Sequence, residues 1–193
     1  MAKLYFYYGA MGSSKSANAL MSNYNYLERG QKTLLGKADL DTRDGVKTIK
    51  SRIGLEMECE LLSDICKMKN EDLAKYDCII IDEIQFAKVE EIDRLAEIVD
   101  ELNVPVLCYG LRADFQQHFF PGSRRLMEIA DTIKEVKTVC WCGRKATTNA
   151  RYNEHGIVRE GAQIMLGAND AYISLCRKHF MEGKLGPGPE DKK

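Results

Sequence analysis

Residues Gly9 to Ser16 read GAMGSSKS, and no other stretch of the chain restricts its architecture so tightly. A phosphate-binding loop of the form G-x-x-x-x-G-K-[ST] needs a strand leading into it and a helix leaving it. Its backbone N–H groups and the helix N-terminus must converge on the anion. Both flanks are present. The aromatic and apolar run KLYFYYG, Lys3 to Gly9, ends in glycine, and SANALMSNYNYLERG carries apolar residues at helical spacing up to Gly30. In that frame Gly9, Ala10, Met11, Gly12, Ser13, Ser14, Lys15 and Ser16 surround the phosphates of ATP, with Lys15 reaching the terminal ones and Ser16 holding Mg²⁺. The departure is Ser14, where the motif has glycine. A side chain forced into the left-handed region costs roughly 1–2 kcal/mol, but serine keeps its backbone N–H and Gly12 can relax the turn from upstream. The expectation is a functional loop at some cost in ATP affinity.

Further apolar runs extend the pattern. KTLLGK (Lys32 to Lys37) predicts a second strand, CIIIDE (Cys78 to Glu83) a buried third, and VPVLCYGL (Val104 to Leu111) another. Between them VEEIDRLAEIVDEL predicts a helix with Val89, Ile92, Leu95, Ala96, Val99 and Leu102 on one stripe. Apolar strands alternating with helices imply an α/β fold, a P-loop (RecA-like) mostly parallel sheet covered by helices on both faces. After about Lys137 the pattern changes to closely spaced cysteines, a glycine-punctuated segment and no strong helix. The expected organisation is therefore a nucleotide-binding domain over 1–137, a small metal-binding lobe over 138–180 and a disordered Gly- and Pro-rich tail over 181–193.

At the end of the third strand stand Asp82 and Glu83, where ligands of open α/β sheets gather. Asp82 suits a metal role, directly or through water. Glu83 is then available as a base, on water in an ATPase or on a substrate hydroxyl in a kinase. Of the seven cysteines, Cys78 and Cys108 lie in apolar runs and read as packing residues. CWC supplies Cys140 and Cys142, and CRKH supplies Cys176 and His179, the inventory of a structural, tetrahedral Zn²⁺ site, although C-x-C is shorter than the usual C-x-x-C. Metal ligation would stabilise a lobe with few apolar residues. The long polar stretch between the two ligand pairs could close over a substrate.

A formal net charge of −1 supplies no broad cationic field for nucleic acid or an anionic membrane. No stretch approaches the ~18 apolar residues of a membrane span, and MAKLYFYYG lacks the features of a signal peptide. A cytoplasmic protein is expected, with no nucleic-acid or membrane partner.

Taken in order, the P-loop, DTR, DEIQF, GLRADF, the cysteine pair and GANDAYISLCRKH resemble the type II, zinc-containing thymidine kinases from about Lys3 to Phe180, most closely the bacterial members. That resemblance implies transfer of a phosphoryl group from ATP to the 5′-hydroxyl of thymidine, with deoxyuridine also accepted. It implies Glu83 as general base, Arg43 of DTR neutralising charge on the transferring group, and Asp41 organising that loop. It implies an apolar nucleoside pocket at Met11, Phe86, Leu111, Phe115 and Tyr172. A lasso, around Gln163, Met165 and Gly167, would read thymine largely through backbone groups and reject other bases by leaving polar groups unpaired. A homotetramer and feedback inhibition by dTTP are implied as well. Without the resemblance, the residues also suit a RecA-like ATPase coupled to nucleic acid, or a non-catalytic nucleotide-binding and zinc-ribbon interaction protein.

Overall fold

The computed structural model of the chain describes residues 1–41, 45–164 and 172–187. Its main sheet comprises β1 (Leu4–Tyr8), β2 (Thr33–Lys37), β5 (Glu60–Leu61), β6 (Cys78–Asp82), β7 (Val106–Gly110) and β8 (Thr132–Glu135), in the order β5-β2-β6-β7-β1-β8. Every pairing in it is parallel. All the carboxyl ends therefore lie along one edge, and the residues following β1, β6 and β7 are neighbours there. A short antiparallel hairpin, β3 (Thr48–Lys50) with β4 (Glu56–Glu58), stands between β2 and β5 in the chain.

The apolar runs are continuous because both faces of the sheet are covered. On one face Leu4, Phe6, Ile79, Ile81, Val106 and Cys108 pack into a cluster with Ile92, Leu95, Ile98 and Val99 of α4 (Val89–Leu102) and Leu126 of α5 (Pro121–Ile129). The alternate residues Cys78, Ile80, Leu107 and Tyr109 face the other side, against Ala19 and Leu20 of α1 (Lys15–Glu28). Truncating one of these isoleucines to alanine is expected to cost about 2–5 kcal/mol. Short helices α2 (Leu62–Lys67) and α3 (Asn70–Leu73) close the first face with Leu62, Ile65 and Leu73.

Beyond β8 the chain forms a three-stranded antiparallel sheet, β10-β9-β11, from β9 (Thr148–Asn153), β10 (Gly156–Val158) and β11 (Tyr172–Leu175), followed by α6 (Arg177–Glu182). It has its own cluster of Cys140, Ala146, Ala150, Leu175, Cys176 and Phe180.

Two expectations need correction. Val89 does not join the buried stripe of α4: it is 40% exposed, because the first turn overhangs the core that begins at Ile92. The segment from residue 181 does not begin as a tail, since α6 continues to Glu182 and ends at Gly183 with φ 72°, a left-handed position suited to glycine. Residues 188–193 lie outside the described residues, as do Arg43, Met165 and Gly167.

Candidate active site and metal centre

The phosphate loop leaves β1 at Gly9, whose N–H bonds Gly110 O at 3.2 Å. A Cβ at Gly9 would sit 2.3 Å from the Val136 carbonyl oxygen and 2.4 Å from Ser13 Oγ, so glycine is required there by close approach. Ser14 caps α1 with φ 61° and ψ 26°, the left-handed conformation that the missing glycine would have adopted without strain, and its side chain makes no capping bond. Lys15 Nζ donates to Ala10 O at 2.8 Å and Ser13 Oγ at 3.2 Å, inside the curve of the loop.

The loop is also held from outside. Met11 N–H donates to Asn149 Oδ1 at 2.8 Å, Ser174 Oγ donates to Met11 O, and Thr138 Oγ1 donates to Gly12 O at 3.2 Å. Asn149 and Ser174 belong to β9 and β11, so the small antiparallel sheet props the backbone of the Gly9–Ser16 loop. Asn149 Nδ2 also donates to Ala113 O at 3.0 Å, joining the loop to the segment after β7.

Asp82 ends β6 with 3% of its surface exposed. Burial, with the neighbouring Glu83 charge second, raises its pKa to about 7, while the Ser16 hydroxyl, a backbone bond from Glu83 and the Lys15 ammonium oppose the rise. A buried carboxylate bonded to a hydroxyl is an all-oxygen donor pair, suited to a hard cation such as Mg²⁺. Glu83 follows with φ 52° and ψ 33°, a second non-glycine residue in the left-handed region and the cap of a 3-10 turn, Ile84–Phe86. Gln85 Nε2 donates to Glu83 Oε2 at 2.5 Å, and Gln85 Oε1 accepts from Leu111 N–H at 2.9 Å. Strain at Ser14 and at Glu83 thus falls on the two loops that face one another across the carboxyl edge of the sheet.

Two residues of the anticipated nucleoside pocket, Phe115 and Tyr172, are joined by Arg151, which sequence reading passed over. The guanidinium of Arg151 lies 3.8 Å from the Phe115 ring centroid and 5.3 Å from that of Tyr172. It donates to Tyr172 OH at 2.7 Å, Ala162 O at 2.9 Å and Gln163 O at 3.3 Å. Gln163 Nε2 donates in turn to Asp114 Oδ2 at 2.8 Å. Phe86 meets Phe120 edge to face at 5.7 Å, and Leu111 O accepts from Ser123 Oγ. Asp41, buried, lies 3.6 Å from the fully buried Lys37 ammonium, which also donates to Gly45 O at 2.6 Å and Thr48 O at 2.9 Å.

Cys140, Cys142, Cys176 and His179 present ligand atoms all within 4.8 Å of one another. Cys140 Sγ is 3.5 Å from His179 Nδ1, and Cys142 Sγ is 3.9 Å from Cys176 Sγ. A tetrahedral Zn²⁺ with Zn–S bonds of ~2.3 Å has ligand–ligand edges of ~3.8 Å, so these donors fit that ion. The short C-x-C spacing is accommodated by a tight turn: Cys140 N–H bonds Arg144 O at 2.7 Å, Gly143 N–H bonds Cys140 O at 2.9 Å, and Gly143 takes φ 82°. Trp141 stacks on the His179 ring at 4.1 Å and donates its indole N–H to Lys184 O, orienting the imidazole from behind. The remaining cysteines are plain packing residues. Cys59 and Cys66 are pushed up to about 11 by burial, and Cys78 to about 12.

Comparison with known proteins fits this geometry. The thymidine kinase family signature matches residues 2–180. The chain is 47% identical to a thymidine kinase of Yersinia pseudotuberculosis, with 94% of this chain and 96% of that protein covered. It is 47% identical to one of Pasteurella multocida (94% and 98% covered) and 46% identical to one of Haemophilus influenzae (94% and 97% covered).

Proposed function

The chain belongs to the thymidine kinase family, and on that premise we propose that it transfers the γ-phosphoryl group of ATP to the 5′-hydroxyl of thymidine, with deoxyuridine as a second substrate. The observation that carries the reading is the juxtaposition at one sheet edge of the Lys15 loop, the Ser16–Asp82 pair and a Glu83 carboxylate held in fixed orientation.

Each residue then has a task. Backbone groups from Gly9 to Ser16 cradle the phosphates, and Lys15 exchanges its internal partners, Ala10 O and Ser13 Oγ, for phosphate oxygens. Ser16 and Asp82 hold Mg²⁺. The metal supplies charge neutralisation on the phosphate oxygens when bound. Glu83 removes the proton of the 5′-hydroxyl as the acceptor oxygen aligns in line with the γ-phosphorus. Most of the acceleration comes from alignment and preorganised charge. Arg43 neutralises the transferring group, and Asp41, two residues before it in sequence, is braced by Lys37. Met11, Phe86, Leu111, Phe115 and Tyr172 enclose the base. Gln163, Met165 and Gly167 belong to the segment that reads it through backbone groups. Zn²⁺ at the Cys140, Cys142, Cys176 and His179 donors is structural, a fold-stabilising tie rather than a reagent.

Assembly and regulation complete the proposal: a cytoplasmic homotetramer inhibited by dTTP, whose triphosphate would occupy the loop while its thymidine fills the pocket. Support for self-association comes from α1, where Met21, Tyr24 and Leu27 are 53%, 58% and 46% exposed at one-turn spacing. No helix among the described residues is long and apolar enough to cross a membrane.

The test is ATP-dependent monophosphate formation from thymidine, deoxyuridine, deoxycytidine and deoxyadenosine. Product confined to the first two supports the assignment. Product from deoxycytidine or deoxyadenosine at comparable kcat/KM would overturn the pocket.

A further inference from the structure

We propose that Gln85 is a positioning residue that aims the Glu83 carboxylate and ties its orientation to the nucleoside pocket through the backbone of Leu111. The inference rests on the reading of Glu83 as the base. Gln85 is 1% exposed, and a buried primary amide in such a place must satisfy both its ends. Leu111 N–H can only donate, so Gln85 Oε1 must face it, and the 2.9 Å bond there fixes which way the amide points. With that end settled, Nε2 has one direction left, and it donates to Glu83 Oε2 at 2.5 Å.

The packing around the amide leaves it no alternative position. A Cβ on Gly110 would lie 2.6 Å from Gln85 Oε1 and 2.8 Å from Ile84 Cγ2, so glycine at the end of β7 is what admits the glutamine. Leu111 is pinned on its other side by the Ser123 hydroxyl on its carbonyl oxygen. The backbone of a residue in the proposed pocket is therefore rigid at both peptide groups. Glu83 itself holds a left-handed φ of 52°, a conformation that persists only where surrounding contacts over-determine it. Gln85, two residues further on, supplies one such contact. A structural core glutamine would not need its donor on the carboxylate that the reaction uses.

The experiment is a double-mutant cycle in the full-length enzyme, with kcat, thymidine KM and melting temperature measured for the parent, Gln85→Met, Glu83→Gln and the double variant. Gln85→Asn, which keeps an amide one carbon too short to span both partners, is run beside them. The expected result is a fall in kcat of roughly ten- to a hundred-fold for Gln85→Met and Gln85→Asn, the size of a lost hydrogen bond to a charged group. Thymidine KM should change less than about three-fold, and no further loss should follow when Gln85→Met is added to Glu83→Gln, since two residues acting as one unit are not additive. If Glu83→Gln turns over like the parent, the base assignment itself fails. If Glu83→Gln is impaired but Gln85→Met is not, or if the two losses multiply, Gln85 is not a positioning residue. Failure of both Gln85 variants to fold would assign it to the core and overturn the inference as well.

Discussion

The Gly9–Ser16 loop and the cysteine cluster are both proposed as cradles for an ion, and they are built in opposite ways. The loop is contiguous, uses backbone groups, and carries strain at Ser14. The cluster uses side chains and draws them from segments 34 and 39 residues apart. The expected dependence between them runs one way. Asn149 and Ser174, on the strands that the cluster helps to anchor, hold both backbone polar groups of Met11, whereas the described bonds from the loop contribute nothing to the cluster's own donors. A motif that reads as self-sufficient in sequence is also braced by a part of the chain more than a hundred residues away.

That asymmetry can be broken first from the cluster side. Cys176→Ser should lose zinc, and a structural zinc site contributes on the order of 10 kcal/mol to the fold it holds. Fluorescence of Trp141, the single tryptophan, stacked on His179, should change, and phosphoryl transfer should fall at least ~10²-fold as the props on Met11 loosen. Zinc lost with turnover retained would show that the loop stands alone.

Gly9→Ala attacks the other cradle. A methyl 2.3 Å from a backbone carbonyl oxygen forces the loop to move, and turnover should drop ~10²-fold, while zinc content and Trp141 fluorescence stay as in the parent. A change in either would mean that the dependence runs both ways.

Asp82→Asn separates charge from geometry. The carboxyl releases its proton near 3.8 in the unfolded chain and near 7 in the folded, metal-free one. Between those values the folded state binds the extra proton, so this group's contribution to stability declines as pH rises through that window. Replacing it should raise the melting temperature of metal-free enzyme above pH 7 by at least ~2–4 °C, the shift of one kcal/mol in a chain of this size, with transfer lost and zinc retained. A difference in melting temperature between Asp82→Asn and the parent that stays constant from pH 5 to pH 8 would show that burial does not raise the Asp82 pKa.

Ser14→Gly is the smallest change. Relief of the left-handed strain, less the entropy glycine adds to the unfolded chain, should stabilise by under about 1 kcal/mol and tighten ATP binding slightly. A clear loss of activity would show that the serine is an adaptation rather than a tolerated departure.

How far sequence leads is set by where the partners lie. The parallel sheet was legible because β6 and β7 are buried on both faces and so read as unbroken apolar runs, and α4 because its bounds fall at Val89–Leu102 as the pattern has them, although Val89 lies off the buried stripe. The small antiparallel sheet was not: β9 reads TNARYN, and its buried Asn149 and Arg151 are satisfied by partners that no periodicity announces. The convergence of the four Cys and His donors could be read because side-chain type and spacing carry that chemistry, and the proposals for the Gly9–Ser16 loop and the Asp82–Glu83 pair rest on the same kind of signal. Gln85, Asn149, Arg151 and Lys37 could not, since each matters for a bond made to backbone or side chains elsewhere in the fold. Lys37, closing the strand TLLGK, gave the one available hint, a lysine in register with Asp82 on a buried strand.

The central claim is that Glu83 acts on the nucleoside hydroxyl at the carboxyl edge of the sheet, beside the Gly9–Ser16 loop. Its most direct test is Glu83→Gln, with kcat for thymidine phosphorylation and the thymidine Kd measured on the same preparation. A fall in kcat of ~10²-fold or more with thymidine Kd unchanged is the predicted result. Equal losses in binding and turnover would contradict it and make Glu83 a residue that positions substrate.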